Sequence, residues 1–413
     1  MRPVKHVPRA ISLALVLGCA AGTMALGTGL KSPCAGGNFH GGRQYRLLCY
    51  TDIVPLLATE QLATGRLPFF DRCAPSENNC DEYPVLTMYL MRTTAWFSGD
   101  HYGRFFYANA IVLTAFALLI AFSLWLLAGR RALWFALAPT LLVYGTINWD
   151  LAAVACATAA LVAWAYRRDS WAGILIGLGA ATKFYPALVL IPLFLQGLQD
   201  REPDRSVRVL WWSAGTWVAV NLPFALASPA SWWEFFRFNG ARTPDFDSVW
   251  YIACRHVDAL CVSIDNANLL ALIGFLLAFF LVIWWKSRRD PSFSRWATGV
   301  PLLICFLLTN KVYSPQYSLW LLPWFALTMP RIGRFVAFEI ADVGVFVTRF
   351  WFFGTYTHVM HVVPQSWFEI AIGIRAAVLI WCLIAWVFDQ IGPLPSLGRR
   401  EAPLELPLPP VPA

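Results

Sequence analysis

Apolar side chains in this chain fill whole stretches, at about residues 11–30, 105–128, 132–147, 149–166, 171–182, 184–198, 209–227, 269–285, 296–309, 315–329, 335–353 and 368–388. A hydrocarbon core of about 30 Å takes about 20 such residues per helix, so the pattern predicts an all-α polytopic membrane protein of about twelve transmembrane helices. Two pairs, 171–182 with 184–198 and 296–309 with 315–329, are short for upright crossings. Their turns read Ala181-Thr182-Lys183-Phe184-Tyr185-Pro186 and Asn310-Lys311-Val312-Tyr313-Ser314-Pro315-Gln316-Tyr317. Broken helices at membrane depth are tolerated where they line a cavity that satisfies the freed backbone groups. Lys183 and Lys311 are therefore expected to face one outer vestibule.

Composition sharpens this picture. Of 413 residues 58% are hydrophobic and 14% charged, far fewer charges than a soluble domain carries, which leaves no room for a large soluble domain. The net charge of +8 does not signal nucleic acid, because the basic residues recur as doublets between apolar stretches. With Arg2, Lys5 and Arg9 in the cytoplasm, so are Arg130/Arg131, Arg167/Arg168, Arg201/Arg205/Arg208, Lys286/Arg288/Arg289, Arg331/Arg334 and Arg399/Arg400. The short connections on the opposite side, at 148–150, 183, 310–314 and 354–367, carry at most one lysine each. That asymmetry predicts a plasma (inner) membrane protein with both termini cytoplasmic. The expected organisation is one membrane domain over 1–390 and a Pro-rich cytoplasmic tail over 391–413 without a packed core. The start through Val16-Leu17-Gly18-Cys19 has the look of a lipoprotein signal, but the apolar run continues to Leu30, so a retained helix is expected.

Two long segments then lie outside, 31–104 and 228–268, and hold Asp52, Asp71, Asp81, Glu82, Asp245 and Asp247. They also hold Cys34, Cys49, Cys73, Cys80, Cys254 and Cys261, which points to an oxidised compartment. Sequence neighbours suggest Cys34–Cys49, Cys73–Cys80 and Cys254–Cys261, among about fifteen possible connectivities. Ile53–Thr64 and Tyr83–Phe97 read as interfacial amphipathic helices, followed by the boundary aromatics Tyr102, Phe105, Phe106 and Tyr107. Gly173-Ile-Leu-Ile-Gly177-Leu-Gly179 is a small-residue stripe for helix packing, not a nucleotide fingerprint.

Five motifs in order carry a resemblance: Cys49-Tyr50-Thr51-Asp52, Asp81-Glu82-Tyr83-Pro84, Asn148-Trp149-Asp150, and the two lysine turns quoted above. Together they resemble the GT-C type membrane glycosyltransferases that use polyprenyl-phosphate sugars, in particular the actinobacterial polyprenol-phosphate-mannose-dependent α-mannosyltransferases. The resemblance implies a long first extracytoplasmic loop with a catalytic aspartate, a polyprenyl-phosphate mannose donor at the outer face, and inversion at the anomeric carbon. It also implies α-1,2-linked mannose on a lipid-anchored glycan acceptor, within lipoglycan biosynthesis of the cell envelope. Such transfer asks for one base and a cationic phosphate clamp, with neither a covalent intermediate nor a resident cofactor or divalent metal.

Asp52 is the expected base, although its position equally suits an N-cap of the helix over 53–64. Asp150 in its tight turn is placed to bind sugar hydroxyls or to cap the next helix, with Trp149 stacking on the ring. Lys183 and Lys311 are expected at the donor phosphate, the alternative being lipid headgroups. Glu82, Tyr83, Tyr185, Gln316, Arg242, His256 and His358 complete the substrate-binding candidates. Arg349 and Arg375 are noted because charge inside a membrane is costly and usually functional. His358 and His361 lack a third ligand and are not read as a metal pair, and Asp245-Phe246-Asp247 is read as a loop feature. The rival function is a multi-pass secondary transporter, disfavoured because no internal repeat is evident and the ionisable groups cluster at the outer ends.

Overall fold

The computed structural model describes residues 9–73 and 80–394, and every regular element among them is a helix. In chain order these are α1 (Arg9–Lys31), α2 (Arg43–Arg46), α3 (Ile53–Thr59), α4 (Val85–Ser98), α5 (Tyr102–Ala128) and α6 (Ala132–Ala136). There follow α7 (Pro139–Tyr144), α8 (Asp150–Ala165), α9 (Asp169–Thr182), α10 (Leu190–Gln199), α11 (Pro203–Ala227) and α12 (Pro229–Ala241). The last are α13 (Val249–His256), α14 (Ile264–Arg289), α15 (Gly299–Thr309), α16 (Leu321–Thr328), α17 (Ile332–Tyr356) and α18 (Gln365–Phe388). Most of the expected tail lies outside the described residues.

Each expected apolar stretch becomes helical, but they are not about twelve equivalent crossings. Among the described residues, five helical segments are long and apolar enough to cross a membrane by length and composition: Ala10–Cys34, Tyr102–Ala136, Pro203–Ala227, Ile264–Arg289 and Gln365–Phe388. The stretch 132–147 breaks into α6 and α7, with Pro139 at the first turn of α7, where a missing N–H costs nothing. Stretches 184–198, 296–309 and 315–329 each open with a 3₁₀ turn, Tyr185–Val189, Arg295–Thr298 and Pro315–Trp320, and two of those turns carry a proline in their first two positions. α17 is long enough to cross but carries Arg334, Glu339, Asp342 and Arg349.

The bundle core forms where α1 packs on α5, α8 on α5 and α9, and α17 on α18. α11 lies along α9 over the small-residue stripe: a Cβ on Gly173 would stand 2.5 Å from the Val209 carbonyl, and one on Gly177 2.6 Å from that of Ser213. The outer faces of α11 and α14 remain exposed and apolar, as lipid-facing helices are. At one end the basic residues gather and tie elements together. Arg131 donates to the Met329 carbonyl, Arg205 pairs with Asp169 at 2.9 Å, and Lys286 and Arg334 both reach Asp389.

The opposite end collects 31–73, 80–104 and 228–268. The first expected interfacial helix stops at Thr59, with Gln61 left-handed (φ 52), and a 3₁₀ turn covers Leu62–Thr64. The second starts after Pro84 as α4. Residues 228–268, read from their charges as a loop, fold into α12 and α13; Trp232 anchors α12 by donating its Nε1 to Asn221 at 3.0 Å.

Disulfides join Cys34–Cys49, Cys73–Cys80 and Cys254–Cys261. The first closes a separation of 15 residues between α1 and the segment leading to Asp52. Loop-closure entropy for a ring of that size is about 3 kcal/mol. Cys34→Ser with Cys49→Ser is therefore expected to lower the unfolding free energy by about 2–4 kcal/mol, read by denaturant titration in detergent.

Candidate functional site

The segment 50–52 is laid against the turn that precedes α8. Thr51 Oγ1 donates to the Thr146 carbonyl at 2.8 Å, and the Asp52 amide donates to the Ile147 carbonyl at 2.9 Å. Asp52 stands at the N-cap of α3, yet its side chain makes no capping bond. Its Oδ2 accepts from Asn148 Nδ2 at 3.0 Å, and the Tyr50 side chain is hydrogen-bonded to it as well. Asn148 Nδ2 donates also to Tyr83 Oη at 2.8 Å. Negative charge on Asp52, then burial, hold the Tyr50 phenol well above its usual value, and burial, then Asp52, does the same to Tyr83. Both therefore remain neutral hydroxyls facing a carboxylate.

In front of Asp52 opens a cavity of about 450 Å³, lined among others by Glu82, Tyr83, Lys183, Arg242 and Gln316. Lys183 follows the end of α9 in an extended conformation, and its Nζ donates to Asp150 Oδ2 at 2.8 Å and sits 4.8 Å from the Tyr317 ring. Asp150, fully buried, takes its second bond from Trp320 Nε1 at 2.7 Å. The ion pair thus fixes Lys183 while its own acid is withdrawn from the cavity. Arg242 ends α12 and contacts Asp245 Oδ2 at 3.4 Å. A second cavity of about 190 Å³ shares Asp52, Arg242 and Gln316 and adds Arg349, Phe350 and Phe353.

Glu82 is aimed by a buried turn. Arg66 makes two bonds to Asp81, at 2.8 and 3.1 Å, and Asp81 adopts a left-handed backbone (φ 66). Glu60 closes the turn by accepting from the Asp81 amide at 2.7 Å and the Glu82 amide at 3.4 Å. Burial first, with Asp52 second, pushes the Glu82 carboxyl up to about 7, and burial pushes Glu60 up to about 8. For a carboxyl raised in the folded state, the stabilising contribution is complete below its ordinary value of 4.5 and is lost as pH rises through about 7. Glu82→Gln is thus expected to gain stability relative to wild type as pH climbs across that window, measured as the difference in melting temperature.

Several expected residues are placed elsewhere. Trp149 is buried, donating Nε1 to Asn109 at 2.7 Å, and Tyr185 is buried, stacked on Trp320 at 4.2 Å. Lys311 does not line the cavity: its Nζ donates to the Gly240 and Arg242 carbonyls at 2.8 and 2.6 Å and so secures the end of α12. Only one of the two lysines therefore faces the cavity. His256 is exposed and meets Glu369 at 2.9 Å, while His358 sits in an exposed left-handed turn (φ 59). The Asp245-Phe246-Asp247 acids face arginines: Asp245 meets Arg242 and Arg349, and Asp247 meets Arg349 and Arg375. Arg375 also reaches Asp342 at 3.3 Å.

Among the site residues that the sequence reading left out are Tyr50, Glu60, Asn148, Asn239 and Ser314 at the main cavity. Tyr50, Asn148 and Ser314 lay inside quoted motifs, so their signal was present; Glu60 and Asn239 carried none beyond polarity.

Residues 82–309, more than half of the chain, match the family model of glycosyltransferase family 87. The match includes Glu82, Lys183 and Arg242 and begins after Asp52. No curated protein matches the chain. Among solved structures, the crystal structure of ArnT from Cupriavidus metallidurans bound to undecaprenyl phosphate is similar, with a TM-score of 0.47 and 13% identity over 92% of this chain and 76% of that one.

Proposed function

Because the chain belongs to glycosyltransferase family 87, we propose that it transfers mannose from a polyprenyl-phosphate donor to a lipid-linked glycan acceptor at the extracytoplasmic face, with inversion and with Asp52 as general base. A glycosyltransferase family gives no support to the rival transporter reading. The observation that carries the proposal is one cavity in which Asp52, unengaged as a helix cap, stands with the cations Lys183 and Arg242.

In the reaction the acceptor hydroxyl gives its proton to Asp52 while its oxygen attacks the anomeric carbon. The bond from that carbon to the phosphate oxygen breaks, and the electron pair leaves with the polyprenyl phosphate. Lys183, held by Asp150, and Arg242 offset the charge that gathers on the leaving phosphate, and being fixed beforehand they do so without reorganising. Phosphate is a good leaving group without protonation, so a single carboxylate suffices, and a single displacement inverts the configuration. Tyr83 and Asn148 orient the base through their mutual bond, and Glu82 and Gln316 are placed for sugar hydroxyls. Both termini and the basic end of the bundle lie in the cytoplasm under this reading.

Stereochemistry tests it directly. With a donor of known anomeric configuration, the product released by purified protein should carry the opposite configuration by NMR; retention would require a second displacement and contradict a lone base.

A further inference from the structure

A cavity of about 630 Å³ lies apart from Asp52, between the corner that joins α5 to α7 and the first half of α17. Its lining is apolar, with Trp134, Leu137, Phe335 and Ile340 in its walls, except for Arg130 and Glu339. Glu339 is 4% exposed; its Oε2 accepts from the Thr140 amide at 2.8 Å in the first turn of α7, and its Oε1 is buried with no hydrogen-bond partner among the described residues. A buried polar atom left without a partner is costly, and native folds keep few of them. Arg130 is exposed, and among the described residues no hydrogen bond or ion pair engages it. The next residue sets its level: Arg131 donates to the Met329 carbonyl, just before α17 begins, and lies 4.7 Å over the Trp134 ring. Trp134 in turn stacks on Phe335 at 5.4 Å. Arginines beside a tryptophan suit the headgroup boundary of a membrane. Glu339 stands deeper, because α17 rises about 10 Å from Ile332, which also lines the cavity, to Glu339.

We propose that this cavity holds an anionic diacyl phospholipid of the leaflet at the basic end of the bundle: its phosphate meets Arg130, an ester carbonyl meets Glu339 Oε1, and the start of an acyl chain covers Leu137 and Ile340. The lining calls for a molecule with negative charge at the boundary, a hydrogen-bonding group about 10 Å below it, and hydrocarbon beyond. A phospholipid has its groups in this order. Because Oε2 is occupied as an acceptor, the acid form of Glu339 carries its proton on Oε1, where a carbonyl oxygen is the matching partner. A polyprenyl phosphate shares the anionic head but is hydrocarbon from its first carbon, so it leaves Oε1 unpaired. The free arginine selects for an anionic lipid, and the orphan oxygen selects the one with an ester. This site is separate from the cavity that Asp52 lines and carries no step of the transfer.

The full-length protein in detergent is titrated with phosphatidylglycerol that bears a diazirine near the carboxyl end of one acyl chain, irradiated, and digested for peptide mass spectrometry. Crosslinks are expected on 133–139 and 332–343, saturable, and displaced by unlabelled phosphatidylglycerol but not by the same concentration of polyprenyl phosphate. Arg130→Gln should raise the half-saturating concentration about fivefold, the weight of one cation at an anionic headgroup. Glu339→Leu should raise it by about the same factor, the weight of one hydrogen bond. Glu339→Gln should stay within about twofold of wild type, since its amide oxygen still accepts from Thr140 and its amide nitrogen donates to the ester. Arg130 is exposed, so its variant tests the proposal even where Glu339→Leu folds poorly. None of these readouts depends on sugar transfer, so failure of the proposed chemistry and failure of this site are distinguishable. Crosslinks absent from the two segments, half-saturation unmoved in Arg130→Gln or in folded Glu339→Leu, or displacement by polyprenyl phosphate as readily as by phosphatidylglycerol, would each overturn the proposal.

Discussion

Asp52→Asn is expected to lower the turnover of sugar transfer on the order of 10³-fold, the usual weight of a general base, with donor affinity changed by no more than about twofold. The fold should persist. Asp52 does not cap α3, and an asparagine oxygen still accepts from Asn148 in the place of Oδ2. What the proposed mechanism loses is the proton acceptor for the attacking hydroxyl, since a neutral amide is no base. Isothermal titration with the donor separates the two effects, because the proposed mechanism assigns binding to Lys183 and Arg242 and proton transfer to Asp52 alone. A variant that kept more than about a tenth of wild-type turnover would remove Asp52 from that role, given the size expected of a base.

Lys183→Met carries the second large effect, and it has two parts. Removing the ammonium strands the carboxylate of Asp150, which is fully buried. Breaking a buried pair from one side costs about 3–5 kcal/mol, and the remaining bond from Trp320 Nε1 places this case toward the lower end. Adding Asp150→Asn removes the stranded charge, so the double variant should recover to within about 1 kcal/mol of wild type. Transfer should not recover with it. A fixed cation at the leaving phosphate is worth about 10²–10³-fold, and neither substitution restores one. Were the double variant to regain both stability and transfer, Lys183 would be only the partner of Asp150.

The helices were legible because continuous apolar runs have one outcome in a membrane, whereas their lengths were not. Whether 132–147 is one helix or two depends on Pro139 at the first turn of α7, a local feature that hydropathy does not register. The charged residues of α17 show a different gap. Glu339 and Asp342 lie within an apolar stretch and are buried, and Asp342 accepts from Ser318 at 2.7 Å and from Thr140 at 3.0 Å. The rule that singled out Arg349 and Arg375 applies equally to them, and would have predicted a buried arginine–aspartate network. At the site, sequence order identified Asp52 and Lys183 as candidates, but pairing was invisible. That Lys183 meets Asp150 across 33 positions, and that Lys311 turns away to hold the carbonyls of Gly240 and Arg242, follows from helix packing. Lys31 sits at the end of a predicted helix, where snorkelling to headgroups is the default expectation. Its burial among Phe346 and Phe350 depends on α17, some 300 residues later.

Under the proposed function the cavity beside Asp52 takes a polyprenyl-phosphate sugar. That reading is tested most directly by incubating purified wild-type protein with radiolabelled polyprenyl-phosphate mannose and a lipid-linked glycan extract, beside parallel reactions with other polyprenyl-phosphate sugars and with a nucleotide sugar. Label is expected in the lipid-linked product from polyprenyl-phosphate mannose and none from the nucleotide sugar. Label from the nucleotide sugar alone, or from no donor at all, would contradict that reading.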